Sequence, residues 1–194
     1  MKKVLLVVAM MMASVATFAQ NEVGQWTIQP KVGLNIADYQ KLDNSKVRCG
    51  VAVGAEVEYG VSDIFGLSFG ALYSMQGCKN NDGNGTLKAD YINVPILANV
   101  YVAKGLAVKL GLQPGFNVNN SVEASANGVT GSVSGDRIGL EAKTVDLSIP
   151  VGLSYQYNNF VIDGRYNWGL TKVYDGSDVK NSVFQITVGY KFSL

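Results

Sequence analysis

The chain has 194 residues, with 16 basic residues against 15 acidic, no histidine and two cysteines. So even a charge balance gives no electrostatic footing for nucleic acid, and two cysteines cannot build a disulfide scaffold. Without imidazole, no side chain has an unperturbed pKa suited to general-base chemistry near neutrality.

Lys2 and Lys3, the apolar run Val4–Met12 and the small-x-small step Thr17-Phe18-Ala19 together read as an export signal. Cleavage is expected after Ala19, dividing the chain into a signal peptide, 1–19, and one domain, 20–194. The apolar run is shorter than the ~20 residues a spanning helix needs, and nothing after residue 20 reads as such a helix. No cysteine follows the cut, which argues against a lipoprotein anchor.

Beyond the signal, apolar residues recur at every second position, the period of a strand whose side chains alternate between two faces. The spacing predicts eight strands, at roughly 26–37, 47–59, 65–76, 90–102, 106–118, 144–157, 160–170 and 183–192. The first sets Trp26, Ile28, Val32, Leu34 and Ile36 against Thr27, Gln29, Lys31, Gly33 and Asn35. In the second, Val51, Val53, Ala55, Val57 and Tyr59 alternate with Ala52, Gly54, Glu56 and Glu58. The fifth and eighth repeat the pattern, with Lys109, Gln113 and Asn117, then Gln185, Thr187 and Lys191, on the polar side.

Connections alternate in length. Short turns follow the second, fourth and sixth strands (Gly60–Ile64, Ala103–Gly105, Asn158-Asn159). Longer polar loops follow the others (Asp38–Lys46, Gly77–Ala89, Asn119–Lys143, Thr171–Ser182). This is the layout of an outer-membrane barrel, with short turns periplasmic and long loops extracellular. The expectation is an all-β, eight-stranded, antiparallel up-and-down transmembrane barrel. The loop 119–143 is expected either to move freely or to extend the barrel as a hairpin.

A soluble barrel would turn the apolar face inward around a ligand, and two features oppose that. Ten strand glycines, among them Gly33, Gly54, Gly70, Gly111 and Gly152, lie on the polar face and only Gly164 on the apolar one. Glycine weakens a strand but makes room in a crowded lumen. Aromatics also gather at both strand ends, Trp26, Tyr59, Phe65, Tyr157, Phe160, Tyr190 and Phe192 at one, Phe116, Tyr166, Trp168 and Phe184 at the other, in the manner of interfacial girdles. Pro30, Pro95, Pro114 and Pro150 all fall inside predicted strands, where each removes a ladder hydrogen bond. Bulges or local breaks are expected at them.

Gly33-Leu34-Asn35-Ile36-Ala37, the run Gly50–Gly77, Tyr91-Ile92-Asn93-Val94-Pro95-Ile96, Arg165-Tyr166-Asn167-Trp168-Gly169-Leu170 and the closing Gly189-Tyr190-Lys191-Phe192 together resemble the PorT-like outer-membrane β-barrel proteins of Bacteroidetes. The resemblance covers nearly all of residues 20–194. It implies a fold and a location, and carries over no functional residues.

Inward charges are expected at Lys31, Arg48, Lys109, Arg165 and Lys191, and at Glu56, Glu58, Asp146 and Asp163. Lys31, Glu56, Lys109, Asp163 and Arg165 fall at similar heights. They read as a salt-bridge plug, with an ion or proton path as the rival. Asn80, Asp82, Asn84 and Gly85 open like a calcium loop, but Tyr91 stands where the bidentate glutamate belongs, so the segment reads as a loop tip. A serine–lysine pair stays conceivable without any lysine singled out. No catalytic, cofactor or metal residues are expected, and both a Cys49–Cys78 bridge and two free thiols remain open. The expected function is non-enzymatic: structure or surface contact through the long loops. A transport or secretion-assembly role is the alternative, and a lipid-modifying enzyme a weaker one. Expected partners are outer-membrane lipid, the barrel-assembly machinery and an unidentified extracellular or envelope protein.

Overall fold

The computed structural model describes residues 23–40, 45–80, 85–126, 129–138, 142–174 and 177–194. The proposed signal peptide lies outside them. Among the described residues eleven strands form one sheet: β1 (Trp26–Gln40), β2 (Ser45–Ser62), β3 (Phe65–Asn80), β4 (Gly85–Asn93), β5 (Ile96–Ala103), β6 (Leu106–Ala126), β7 (Val129–Ser134), β8 (Val145–Tyr157), β9 (Phe160–Gly169), β10 (Lys180–Tyr190) and β11 (Phe192–Ser193). Strands β4 and β5 are two halves of one stave, as are β10 and β11, and β7 is an added hairpin arm. The ladder runs antiparallel from β1 through β2, β3, β4/β5, β6, β8 and β9 to β10. It closes by pairing β10 with β1 from Lys31↔Gly189 to Gln40↔Lys180. Eight staves therefore close on themselves and leave no sheet edge around the ring.

Closure turns one face of every stave outward, and that face is the apolar one. Leu34 is 61% exposed, Ile162 56% and Trp168 56%, whereas Asn35, Asp163 and Arg165 are at most 1% exposed. The soluble-barrel rival is thereby excluded, because its buried face would be the apolar one. From Trp26 to Ile36, at about 3.4 Å per residue and a tilt of about 40°, the apolar band stands close to the ~25 Å of an outer-membrane barrel. At the short-turn end Trp26 lies 4.9 Å from Tyr59 and 6.2 Å from Phe69 between ring centroids. Tyr190 lies 5.1 Å from Phe160 and 4.7 Å from Phe192.

The four prolines sit where the ladder is interrupted. Val94 and Pro95 separate β4 from β5, yet Asn93↔Gly115 and Ile96↔Leu112 keep one register across the gap. Pro114 faces the same gap, its carbonyl accepting from the Val94 amide at 2.8 Å. On the β8 side, β6 pairs Leu110 with Val151 and Gln113 with Ser148 but skips the step that would include Pro150. Opposite Pro30, the return stave breaks between β10 and β11 at Lys191. The ring thus places residues that lack an N–H at local breaks, without shifting register.

The strands run further at the long-loop end than the apolar period predicts. β6 continues to Ala126, and β4 begins at Gly85 inside a predicted loop. Above the apolar band the outer face no longer meets lipid, so the alternation that marks a membrane strand fades while the ladder continues. The hairpin form expected for the loop after the fifth stave is the one seen: β6 pairs with β7 from Ser121↔Ser134 to Ala126↔Val129, and with β4 from Gly85↔Ala124 downward. At the other end, Asn158 (φ 52°) and Gly105 (φ 80°) take the left-handed conformations that tight two-residue turns require.

Candidate functional site

The lumen is filled in storeys, and the sequence phase supplies each. All nine inward charges named from the sequence are buried. At mid-barrel, Lys31 from β1, Glu56 from β2, Lys109 from β6, and Asp163 and Arg165 from β9 converge. Lys31 Nζ lies 2.8 Å from Glu56 Oε2 and 3.6 Å from Asp163 Oδ2. Lys109 Nζ lies 2.7 Å from Asp163 Oδ2 and 3.7 Å from Glu56 Oε2. Arg165 donates from Nε to Asp163 Oδ1 at 2.9 Å and from Nη2 to Glu56 Oε1 at 2.7 Å. The five side chains are 0–6% exposed. Each carboxylate is shared among three cations, which compensates the desolvation that an isolated buried ion would suffer.

Glycines make this storey fit. Lys31 faces Gly54 and Gly189 across the ladder, Glu56 faces Gly70, and Gly152 lies between Lys109 and Arg165. A Cβ on Gly152 would lie 2.7 Å from Arg165 Cβ, and one on Gly70 would lie 2.8 Å from Glu56 Cγ. At all four of Gly33, Gly54, Gly70 and Gly152 the nearest obstacle is a backbone carbonyl of the adjoining strand, Ile186 O, Ala71 O, Ala55 O and Gly164 O. The inward glycines therefore serve close strand approach as well as lumen space.

Other storeys are hydrogen bonded around fewer charged groups. Toward the short turns, Tyr101 donates to Glu58 at 2.6 Å, and Lys191 donates to Glu58 at 3.0 Å and to the Tyr101 oxygen at 3.2 Å. Above the ionic storey, Gln185 donates to Asn35 at 2.8 Å, and Asn35 and Gln76 donate to Ser74 at 2.9 and 3.0 Å. Near the long-loop end Asp146 accepts from Thr171 and from Asn181. Tyr39, Cys78, Val173 and Tyr174 then form an apolar cap, with the two tyrosine oxygens 3.4 Å apart. Cys78 is buried in this cap while Cys49 is exposed, and both are free thiols.

Two elements escaped the sequence reading. Asp90 lies on the outward phase of β4 yet is buried, accepting from Tyr73 at 3.1 Å and Asn119 at 2.9 Å, with Arg48 at 3.2 Å. A bulge causes this: β6 spends the extra residue Val118 between Asn117↔Tyr91 and Asn119↔Asp90, and nothing in the residue pattern announces it. Tyr101 is the second: it too went unnamed, although it shares the inward phase of Asn99. Asn80 and Gly85, the ends of the calcium-like segment, close β3 and open β4, while Asp82 and Asn84 lie outside the described residues.

A closed antiparallel ring, apolar outside and ionic within, defines a transmembrane β-barrel. The sequence pattern of the outer membrane protein beta-barrel domain matches residues 18–175, and the chain belongs to that family. Its place is accordingly the bacterial outer membrane. The fold is similar to that of Ail, the attachment invasion locus protein of Yersinia pestis, at 20% identity and a TM-score of 0.51, over 88% of this chain and 100% of that one. It is similar also to Neisserial surface protein A, at 15% identity and a TM-score of 0.51, over 86% and 97%. Among curated protein sequences no relative matches.

Proposed function

We propose that the protein is a non-enzymatic outer-membrane barrel that acts through contacts made at its long-loop end, which faces the cell exterior. The observation that carries this reading is the contrast between the barrel's two parts. The lumen is closed by a buried ionic storey, while the ladder rises beyond the apolar band as a sheet of β2, β3, β4, β6 and β7. A side-chain-filled eight-stave interior offers no wide aqueous path, so exposed chemistry concentrates on that extension. The absence of histidine from the whole chain and the similarity of the fold to an attachment invasion locus protein support the same direction. We place the chain in the PorT-like branch of the family, and assign residues 1–19 to a cleaved signal.

The test is surface contact with and without the extension. Cells displaying the intact protein should bind their envelope or extracellular partner, and cells displaying a chain lacking Val122–Leu140 should not, at equal amounts of folded barrel. Equal binding by both chains would refute the reading, as would large sustained conductance of the intact protein in planar bilayers.

A further inference from the structure

At the long-loop end the wall of the barrel forks. The ladder between β6 and β8 ends at Phe116↔Val145, and the ladder between β6 and β7 begins at Ser121↔Ser134. Between these points β6 meets the returning chain through the backbone hydrogen bond from Asn117 N to Thr144 O at 2.8 Å. The fork opens as a cavity of about 400 Å³, lined by Asn117, Asn119, Asn120, Ser134 and Thr144, with Val118 and Ala142 between them. That volume lies within the ~300–1,000 Å³ range of small-molecule sites.

The lining defines the ligand chemistry. Among the described residues it consists of carboxamides and hydroxyls, which both donate and accept, and it carries no ionised side chain. An anion would find no cation among the described lining residues, and a lipid chain would find little apolar surface. An extended peptide would need a longer straight edge than the four residues between the two ladders, and the Val118 bulge distorts that edge. A compact neutral molecule rich in hydroxyls matches every feature. The site is also partly preorganised, which lowers the ordering cost of binding. Asn119 is tethered by its amide nitrogen to Asp90 at 2.9 Å, and Asn117 donates to the Asp90 carbonyl at 3.4 Å.

We infer that the fork between β6, β7 and β8 is a binding site for neutral saccharide, one or two sugar rings in size. This rests on the reading of the long-loop end as an exterior contact surface, and names the chemical class it contacts.

The experiment uses the full-length barrel refolded in detergent, presented to an array of neutral oligosaccharides and their sulfated counterparts. The best neutral binder is then titrated as free sugar by calorimetry. Binding should appear on neutral members, and Ser134→Ala combined with Thr144→Val should weaken it at least tenfold while the unboiled gel mobility stays unchanged. Three results would each overturn the inference: no neutral saccharide bound at 10 mM, signal on sulfated members alone, or binding indifferent to the double substitution. If surface contact still requires Val122–Leu140 in any of these cases, the contact reading stands and only the saccharide assignment falls.

Discussion

Arg165 is among the most buried side chains of the barrel, 1% exposed, yet it is not the residue whose loss the ionic storey should feel most. Replacing it with methionine leaves Glu56 beside Lys31 at 2.8 Å and Asp163 beside Lys109 at 2.7 Å, so both carboxylates keep a partner. Glu56→Gln instead leaves three cations around one carboxylate. Because breaking a buried ion pair costs about 3–5 kcal/mol, Glu56→Gln should lower stability by that order and Arg165→Met by clearly less. Urea unfolding followed by gel mobility measures both, and the reverse ranking would contradict the shared-carboxylate geometry. Tyr174, in the loop above the barrel, offers a pH test. Burial raises its phenol above the ordinary value, so the folded cap holds this proton more tightly than the open loop does. The stabilisation is therefore complete below about pH 10, the ordinary tyrosine value, and is lost as pH rises through the higher folded value. Tyrosinate absorbance should show late-titrating phenols, one fewer after Tyr174→Phe.

Among the elements, glycine position separates space from scaffold. A Cβ at Gly152 would meet Gly164 O at 2.5 Å as well as Arg165, whereas one at Gly164, on the outer face, has nothing within 4 Å. Gly152→Ala should therefore destabilise by about 1–3 kcal/mol through overpacking. Gly164→Ala should be neutral, or stabilising by up to about 1 kcal/mol through reduced chain entropy. The β6–β7 hairpin behaves as an appendage: β7 pairs with β6 alone. Removing Val122–Leu140 should leave refolding yield and membrane insertion nearly unchanged, since closure entropy varies slowly with loop length and every stave keeps its partners within the apolar band. Loss of the folded gel band in that variant would show that the extension contributes to ring closure.

At the level of the whole molecule, ring closure predicts cooperative resistance to unfolding, because no edge strand offers a starting point. Residues 20–194 refolded in detergent should migrate differently before and after boiling. A chain that stays monomeric in water without detergent would contradict the barrel. Topology is tested by labelling. With Cys49 and Cys78 replaced by alanine, a cysteine at Ser177 should react with an impermeant reagent on intact cells and one at Asn158 should not. Labelling at Asn158 alone would invert the orientation.

The period-two pattern was enough to read eight staves, the polar phase of each charged position and the short-turn ends, because lipid on one side and a crowded lumen on the other leave opposite chemistry on alternate residues. The girdle aromatics and the nine inward charges were legible for the same reason. Strand extension past the apolar band was not, since a ladder whose outer face no longer meets lipid needs no strict alternation: Gly85–Ala89 and Asn119–Ala126 read as loop and fold as strand. Nor could spacing reveal that Pro95 and Pro114 share one ladder gap, that the Val118 bulge buries Asp90, or that β6 leaves β8 to pair with β7 and opens the fork. Each depends on which strands become neighbours and in what register. Only closure of the ring decides that, because the backbone hydrogen bonds that set register join residues far apart in the chain.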